Sequence, residues 1–106
     1  MIQHIVAFCP LPNVANELEQ VMQGLAGLVG KVPGFTDFVH GPNIDAEGKT
    51  PDYPFGFIAT FDNRAALDRY AADPRHQALG GRLVALCEGG AEAITVFDIQ
   101  VSGPSA

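Results

Sequence analysis

Ile2-Gln3-His4-Ile5-Val6-Ala7-Phe8-Cys9 is apolar on both sides of a period-two pattern, with Ile2, Val6 and Phe8 on one side and Ile5, Ala7 and Cys9 on the other. Its β-branched and aromatic residues, ended by Pro10 and Pro12, read as a strand. Phe55-Gly56-Phe57-Ile58-Ala59-Thr60-Phe61 repeats the theme, with Phe55, Phe57 and Phe61 set against Ile58. So does Ala93 to Val101, where Ile94 and Val96 oppose Phe97 and Ile99. A sheet with one face in water alternates apolar with polar residues, and these three strands do not. Both faces of the sheet therefore need cover.

Between these strands the pattern changes period. Val14, Leu18, Val21, Met22, Leu25, Leu28 and Val29 recur at helical spacing, with Glu17, Glu19, Gln20 and Gln23 opposite. Asn13 is placed to cap this helix and Gly30 to stop it, ahead of the turn Lys31-Val32-Pro33-Gly34. Phe35 to His40 reads as a second strand, and Gly41 to Pro54, with three prolines, as a long connection. Asp62 or Asn63 caps a short helix whose apolar side is Ala66, Leu67 and Tyr70. Asp73-Pro74 restarts the chain as another helix, which Gly89-Gly90 breaks.

The order is β-α-β-β-α-β, with the second helical part split. That is an α+β, ferredoxin-like arrangement: a four-stranded antiparallel sheet with its helices on one face. Helices cover only that face. The other is expected to meet the same sheet of a second chain in a homodimeric α/β barrel, the alternative being that the 41–54 loop folds over it. Residues 1–101 form one domain, and 102–106 read as a disordered tail.

Composition narrows the function. The chain has 106 residues, 47% of them hydrophobic and 17% charged, enough to build one core and unlike a disordered chain. Twelve acidic against six basic residues leave a net charge of −6, which repels nucleic acid and anionic membrane surfaces. No apolar run approaches the ~20 residues of a membrane span, and no signal peptide is legible, so the expectation is a cytoplasmic protein. Cys9 and Cys87 are too few for a disulfide scaffold and read as buried free thiols. His4, His40 and His76 lack metal-ligand spacing, and no phosphate or dinucleotide motif is present, so neither metal nor cofactor is expected.

His76, Tyr70 and His4 are the candidate site residues. With Asp73 as cap, His76 falls in the first helical turn, where the helix dipole disfavours imidazolium and a neutral imidazole can serve as base. Its plain reading is a surface residue beside a cap. Tyr70 continues the Ala66–Leu67 face, with its hydroxyl expected at the rim of the core. His4 lies in the apolar row of its strand, where a satisfied core histidine is the plain reading. Asp98, inside an apolar strand, either faces an edge or pairs with something buried.

His4-Ile5-Val6-Ala7-Phe8, the Val32-Pro33-Gly34 turn, the segment from Phe61 through Ala66-Leu67 and Tyr70-x-x-Asp73-Pro74-x-His76-Gln77, and a last strand bearing Asp98 resemble the stress-responsive A/B barrel (Dabb) family from Ile2 to about Ile99. The resemblance implies the homodimeric barrel already argued from the strands. Many members are named only for stress induction in plants. One plant branch, of the olivetolic acid cyclase type, closes a poly-β-ketone by an aldol step without cofactor. Carried over, its cavity residues fall on His4, Tyr70 and His76: His76 as base, Tyr70 as donor to a carbonyl oxygen, His4 as polarising partner. The chain departs from that pattern at Phe55, where many relatives are polar, and at Asp73, where the cyclases have histidine. The expected function is handling of a small apolar carbonyl ligand in the dimer barrel, as a cofactor-independent cyclase, isomerase or lyase. The other reading is a non-catalytic stress-response or ligand-binding dimer with a filled barrel. Dimeric-barrel monooxygenases and haem degraders share the architecture, but the chain has no Trp and no evident haem ligand.

Overall fold

The computed structural model describes residues 1–102. Of the tail expected at 102–106, everything after Ser102 lies outside the described residues. The elements follow the expected order: β1 (Ile2–Phe8), α1 (Ala15–Ala26), β2 (Phe35–Pro42), β3 (Phe55–Phe61), α2 (Arg64–Ala72), α3 (Pro74–Ala85) and β4 (Thr95–Gln100), with a 3₁₀ turn at Gly90–Ala93. The four strands form one antiparallel sheet in the order β2-β3-β1-β4. Among the described residues no helix is long and apolar enough to cross a membrane.

Register sorts the side chains. His4 lies opposite Ala59 on β3 and Asp98 on β4, and Val6 opposite Phe57 and Val96. These residues, with Ile2, Phe8, Phe35, Phe38 and Phe61, share the face the helices cover. Against them pack Leu18, Val21, Met22 and Leu25 of α1, Ala66, Leu67 and Tyr70 of α2, and Leu83 of α3. At Gly24 of α1 a Cβ would stand 2.6 Å from Leu79 Cδ2 of α3, so the two helices meet where one of them has no side chain. The outer face carries Ile5, Ala7, Val39, Ile58, Phe97 and Ile99. The helices leave it open, and Val39, Phe97 and Ile99 are each about half exposed. The 43–54 loop does not cover them.

Three local expectations are corrected. α1 ends at Ala26, not at Gly30, because Leu28 and Val29 donate to Leu25 and Ala26, a tightened i→i−3 pattern that unwinds the helix. Leu28 remains buried in the turn that follows. Asn13 does not cap α1: it sits at φ 64 in the preceding turn, and Val14 at the N-cap position has no capping side chain to offer. β2 extends through Gly41 and Pro42, where proline is tolerated because β2 is an edge strand. Of the two candidate caps for α2, Asn63 is the one used, accepting from Ala66 N at 3.0 Å.

Candidate active site

The break between α2 and α3 builds the site. Asp73 is extended (φ −69, ψ 125) and serves both helices, ending α2 and capping α3 by accepting from Arg75 N at 2.8 Å. Its carboxylate also pairs with the Arg75 guanidinium at 2.7 Å, and those hydrogen bonds pull its pKa down to about 2. Pro74 opens α3 at a position that needs no N–H donor. The turn thus folds the start of α3 back onto the end of α2. It brings the imidazole of His76 against the ring of Tyr70, with centroids 3.9 Å apart and planes inclined by 34°.

Tyr70 is not at the rim of the core but inside it, 1% exposed, because its ring packs against both members of the stacked Phe35–Phe61 pair, at 5.1 and 4.9 Å. Burial pushes its phenol far above the ordinary value, so the hydroxyl keeps its proton. Burial likewise lowers the His76 pKa, reinforced by the nearby His4 and opposed by backbone carbonyls and Asp73. His76 is therefore a neutral imidazole at pH 7, as its place in the first turn of α3 implies. The Tyr70 hydroxyl and His76 Nδ1 are both buried, and among the described residues neither has a hydrogen-bond partner. Each such orphan costs about 1–3 kcal/mol if nothing fills it.

His4 completes the cluster from the sheet. Its ring lies 6.0 Å from that of Tyr70 in an edge-on arrangement, with Phe57 and Phe61 at 6.2 and 6.4 Å. Asp98, left open by the sequence, is its partner: His4 Nδ1 stands 2.5 Å from Asp98 Oδ1. A carboxylate only accepts, so Nδ1 carries the hydrogen and Nε2 is left for another partner. His4 and Asp98 form part of the wall of a cleft of about 410 Å³, together with Ile2, Arg64, Leu67 and Gln100, open between α2 and the β1–β4 edge. Tyr70 and His76 do not line it.

The expected residues thus come together, but not as expected in two respects. Tyr70 and His76, which the resemblance implies are cavity residues, pack directly against each other and line neither hollow described for this chain. And the cluster lies between sheet and helices of one chain, on the opposite side of the sheet from the open outer face, because His4 has the same strand parity as Val6 and Phe8. A ligand held by these side chains would not lie between two sheets. His40 stands apart on β2 beside Phe38 and Phe55. Burial raises the Cys87 thiol to about 11, and desolvation with Glu88 raises Cys9, so neither thiol is activated. Among the described residues no group of three or more His, Cys, Asp or Glu side chains could share a metal ion.

Several solved structures share this fold. A dimeric ferredoxin-like protein of unknown function from Jannaschia sp. CCS1 is 46% identical, with 94% of this chain and 98% of that one covered and a TM-score of 0.87. A hydroxynitrile lyase from Passiflora edulis is 17% identical over 97% of this chain and 96% of its own, with a TM-score of 0.78. SnoaB, a cofactor-independent oxygenase from Streptomyces nogalater, is 20% identical over 96% and 93%, with a TM-score of 0.74. At these low identities the last two establish the fold alone. No curated protein matched the chain. The family model of the stress responsive A/B barrel domain matches residues 2–101, and the chain belongs to that family.

Proposed function

We propose that the protein is a homodimer whose subunits each act on a small apolar carbonyl compound by proton transfer, without cofactor, as a cyclase, isomerase or lyase. The observation that carries this reading is the pair of orphaned polar atoms, Tyr70 Oη and His76 Nδ1, buried side by side among aromatic rings. A ligand with a carbonyl oxygen and an acidic C–H would supply what both lack. His76 Nδ1 takes the proton from the carbon beside the carbonyl, Tyr70 donates to the oxygen as it becomes an enolate, and His4, held by Asp98 as the Nδ1–H tautomer, offers Nε2 as an acceptor to a ligand hydroxyl or N–H on the sheet side. The imidazolium then returns the proton to the product. Positioned acid–base chemistry of this kind contributes ~10²–10⁴-fold, and donors aimed at the developing oxyanion add to it. That chains of this fold include a hydroxynitrile lyase and a cofactor-independent oxygenase is compatible with such a role. The dimer reading is supported by the open outer face and by the dimeric Jannaschia relative. A cytoplasmic location is part of the same proposal.

The second reading is a ligand-binding dimer without catalysis. It is favoured by the burial of Tyr70 and by the absence of Tyr70 and His76 from the lining of the 410 Å³ cleft, which leaves His4 alone of the set facing it. Comparing wild type with His76→Ala against simple ketones and β-keto esters separates the two. Turnover lost in the variant supports the base, and binding without turnover in the wild type supports the alternative.

A further inference from the structure

The segment between β2 and β3 is an ordered loop that displays one isoleucine. Asp45 accepts from Lys49 N at 2.9 Å and Thr50 N at 2.6 Å, and Asn43 Nδ2 donates to Thr50 Oγ1 and the Tyr53 carbonyl at 2.9 and 2.8 Å. Its base is closed by Asn43 N to Pro54 O at 2.8 Å. Ile44, between these two anchoring side chains, is 88% exposed. Backbone order there is already established before any partner arrives, which lowers the entropic cost of a contact.

The loop borders one end of the outer face. Asn43 and Thr50 help line a hollow of about 490 Å³ together with Ile5, Ala7, Val39 and Ile58. Tyr53 accepts from Thr95 Oγ1 at 2.7 Å, tying the loop to β4 at a residue of outer-face parity. The His4–Asp98 cleft opens on the other side of the sheet, so the loop is no lid for it. In projection the outer face is a patch of roughly 19 by 24 Å, four strands ~4.8 Å apart and about seven residues long, and an exposed apolar residue on the adjoining loop enlarges the surface a partner can cover.

We infer that the 43–54 loop is an arm that carries Ile44 onto a second copy of this chain, extending the contact made by the outer sheet faces. The inference rests on the homodimer proposed above. Two-fold pairing is self-complementary, so each chain contributes one arm and receives one. The interface is then the outer face of Val39, Phe97 and Ile99 with an Ile44 arm from each chain.

Sedimentation equilibrium of wild type, Ile44→Asp and Phe97→Asp tests this, with a photo-crosslinking amino acid at position 44 as the direct readout. A surface substitution at Ile44 leaves the fold intact. The arm predicts a wild-type dimer whose dissociation constant rises about tenfold or more in Ile44→Asp, and an inter-chain crosslink from position 44. A wild-type dimer that Phe97→Asp breaks but Ile44→Asp leaves unchanged, with no inter-chain crosslink, overturns the arm and keeps the dimer. A monomeric wild type overturns both.

Discussion

His76 and Tyr70 are carried by different helices, yet their rings lie 3.9 Å apart because Asp73 ends one helix and caps the next. Six residues of chain, one extended residue and one proline are enough to set a half-buried histidine against a buried tyrosine. Both polar atoms are left without partners. In a purely structural contact such atoms are a liability, and at a ligand site they are the recognition groups.

Tyr70→Phe separates these two meanings. Deleting a buried hydroxyl with no partner removes a desolvation cost, so stability should hold or rise by about 1 kcal/mol. Turnover of any carbonyl substrate should fall by ~10²-fold or more if the hydroxyl stabilises the enolate. Thermal unfolding and kcat on the same variant check both. A destabilised Tyr70→Phe would show that the hydroxyl has a structural partner after all.

The pH dependence of stability follows from His76. Burial lowers its folded pKa below the unfolded value of 6.5, so the unfolded chain binds the extra proton first as pH falls. Stability should therefore be full above pH 6.5 and decline as pH drops from there toward the folded pKa. Denaturant unfolding between pH 8 and 5 should show this slope in the wild type and a shallower one in His76→Gln. Asp73, held down to about 2 by Arg75, should add a separate loss only below about pH 3.8. In turnover, the acid limb should lie below the pH of an ordinary histidine.

Asp98→Asn tests the orientation of His4. Asp98 is nearly half exposed, so the fold should survive with little change. The amide presents a donor as well as an acceptor and no longer imposes the Nδ1–H tautomer. The expected outcome is a fall in kcat with KM nearly unchanged. The tautomer shift should be visible in the imidazole ¹⁵N chemical shifts of His4.

Gly34→Ala should destabilise through the backbone. Gly34 has φ +84, and a Cβ there would stand 2.5 Å from the Ala66 Cβ of α2. The left-handed conformation costs about 1 kcal/mol for alanine, and the collision adds roughly 1–3 kcal/mol. Chemical denaturation should show the loss with the outer sheet face untouched.

Much of this architecture is legible in the sequence because it is written locally. The period-two strands, the amphipathic stripe of α1 and the Asp73-Pro74 punctuation each follow from neighbours a few residues away. The apolar character of both strand faces also leads directly to the uncovered outer face. What is not legible depends on register and depth. His4 and Asp98 are 94 residues apart, and only the β1–β4 register makes them partners. A helical stripe shows which side of α2 Tyr70 is on but not how far in it goes, and the stacked Phe35 and Phe61 rings decide that. The end of α1 is set by Gly27 and the i→i−3 bonds after it, whereas apolar periodicity continues through Val29. The order of the 43–54 loop comes from two side chains, Asn43 and Asp45, in a stretch whose prolines and glycines suggest only irregular structure.

The most direct test of the site is hydrogen–deuterium exchange at carbon. Simple ketones and β-keto esters with slow background exchange are incubated in D₂O with wild type, His76→Ala and Tyr70→Phe, and loss of the α-proton signal is followed by NMR. With His76 as base and Tyr70 as donor, exchange runs above buffer in the wild type for at least one class, is abolished in His76→Ala and is reduced in Tyr70→Phe. Exchange at the buffer rate with every compound, or exchange that survives His76→Ala, would contradict these roles.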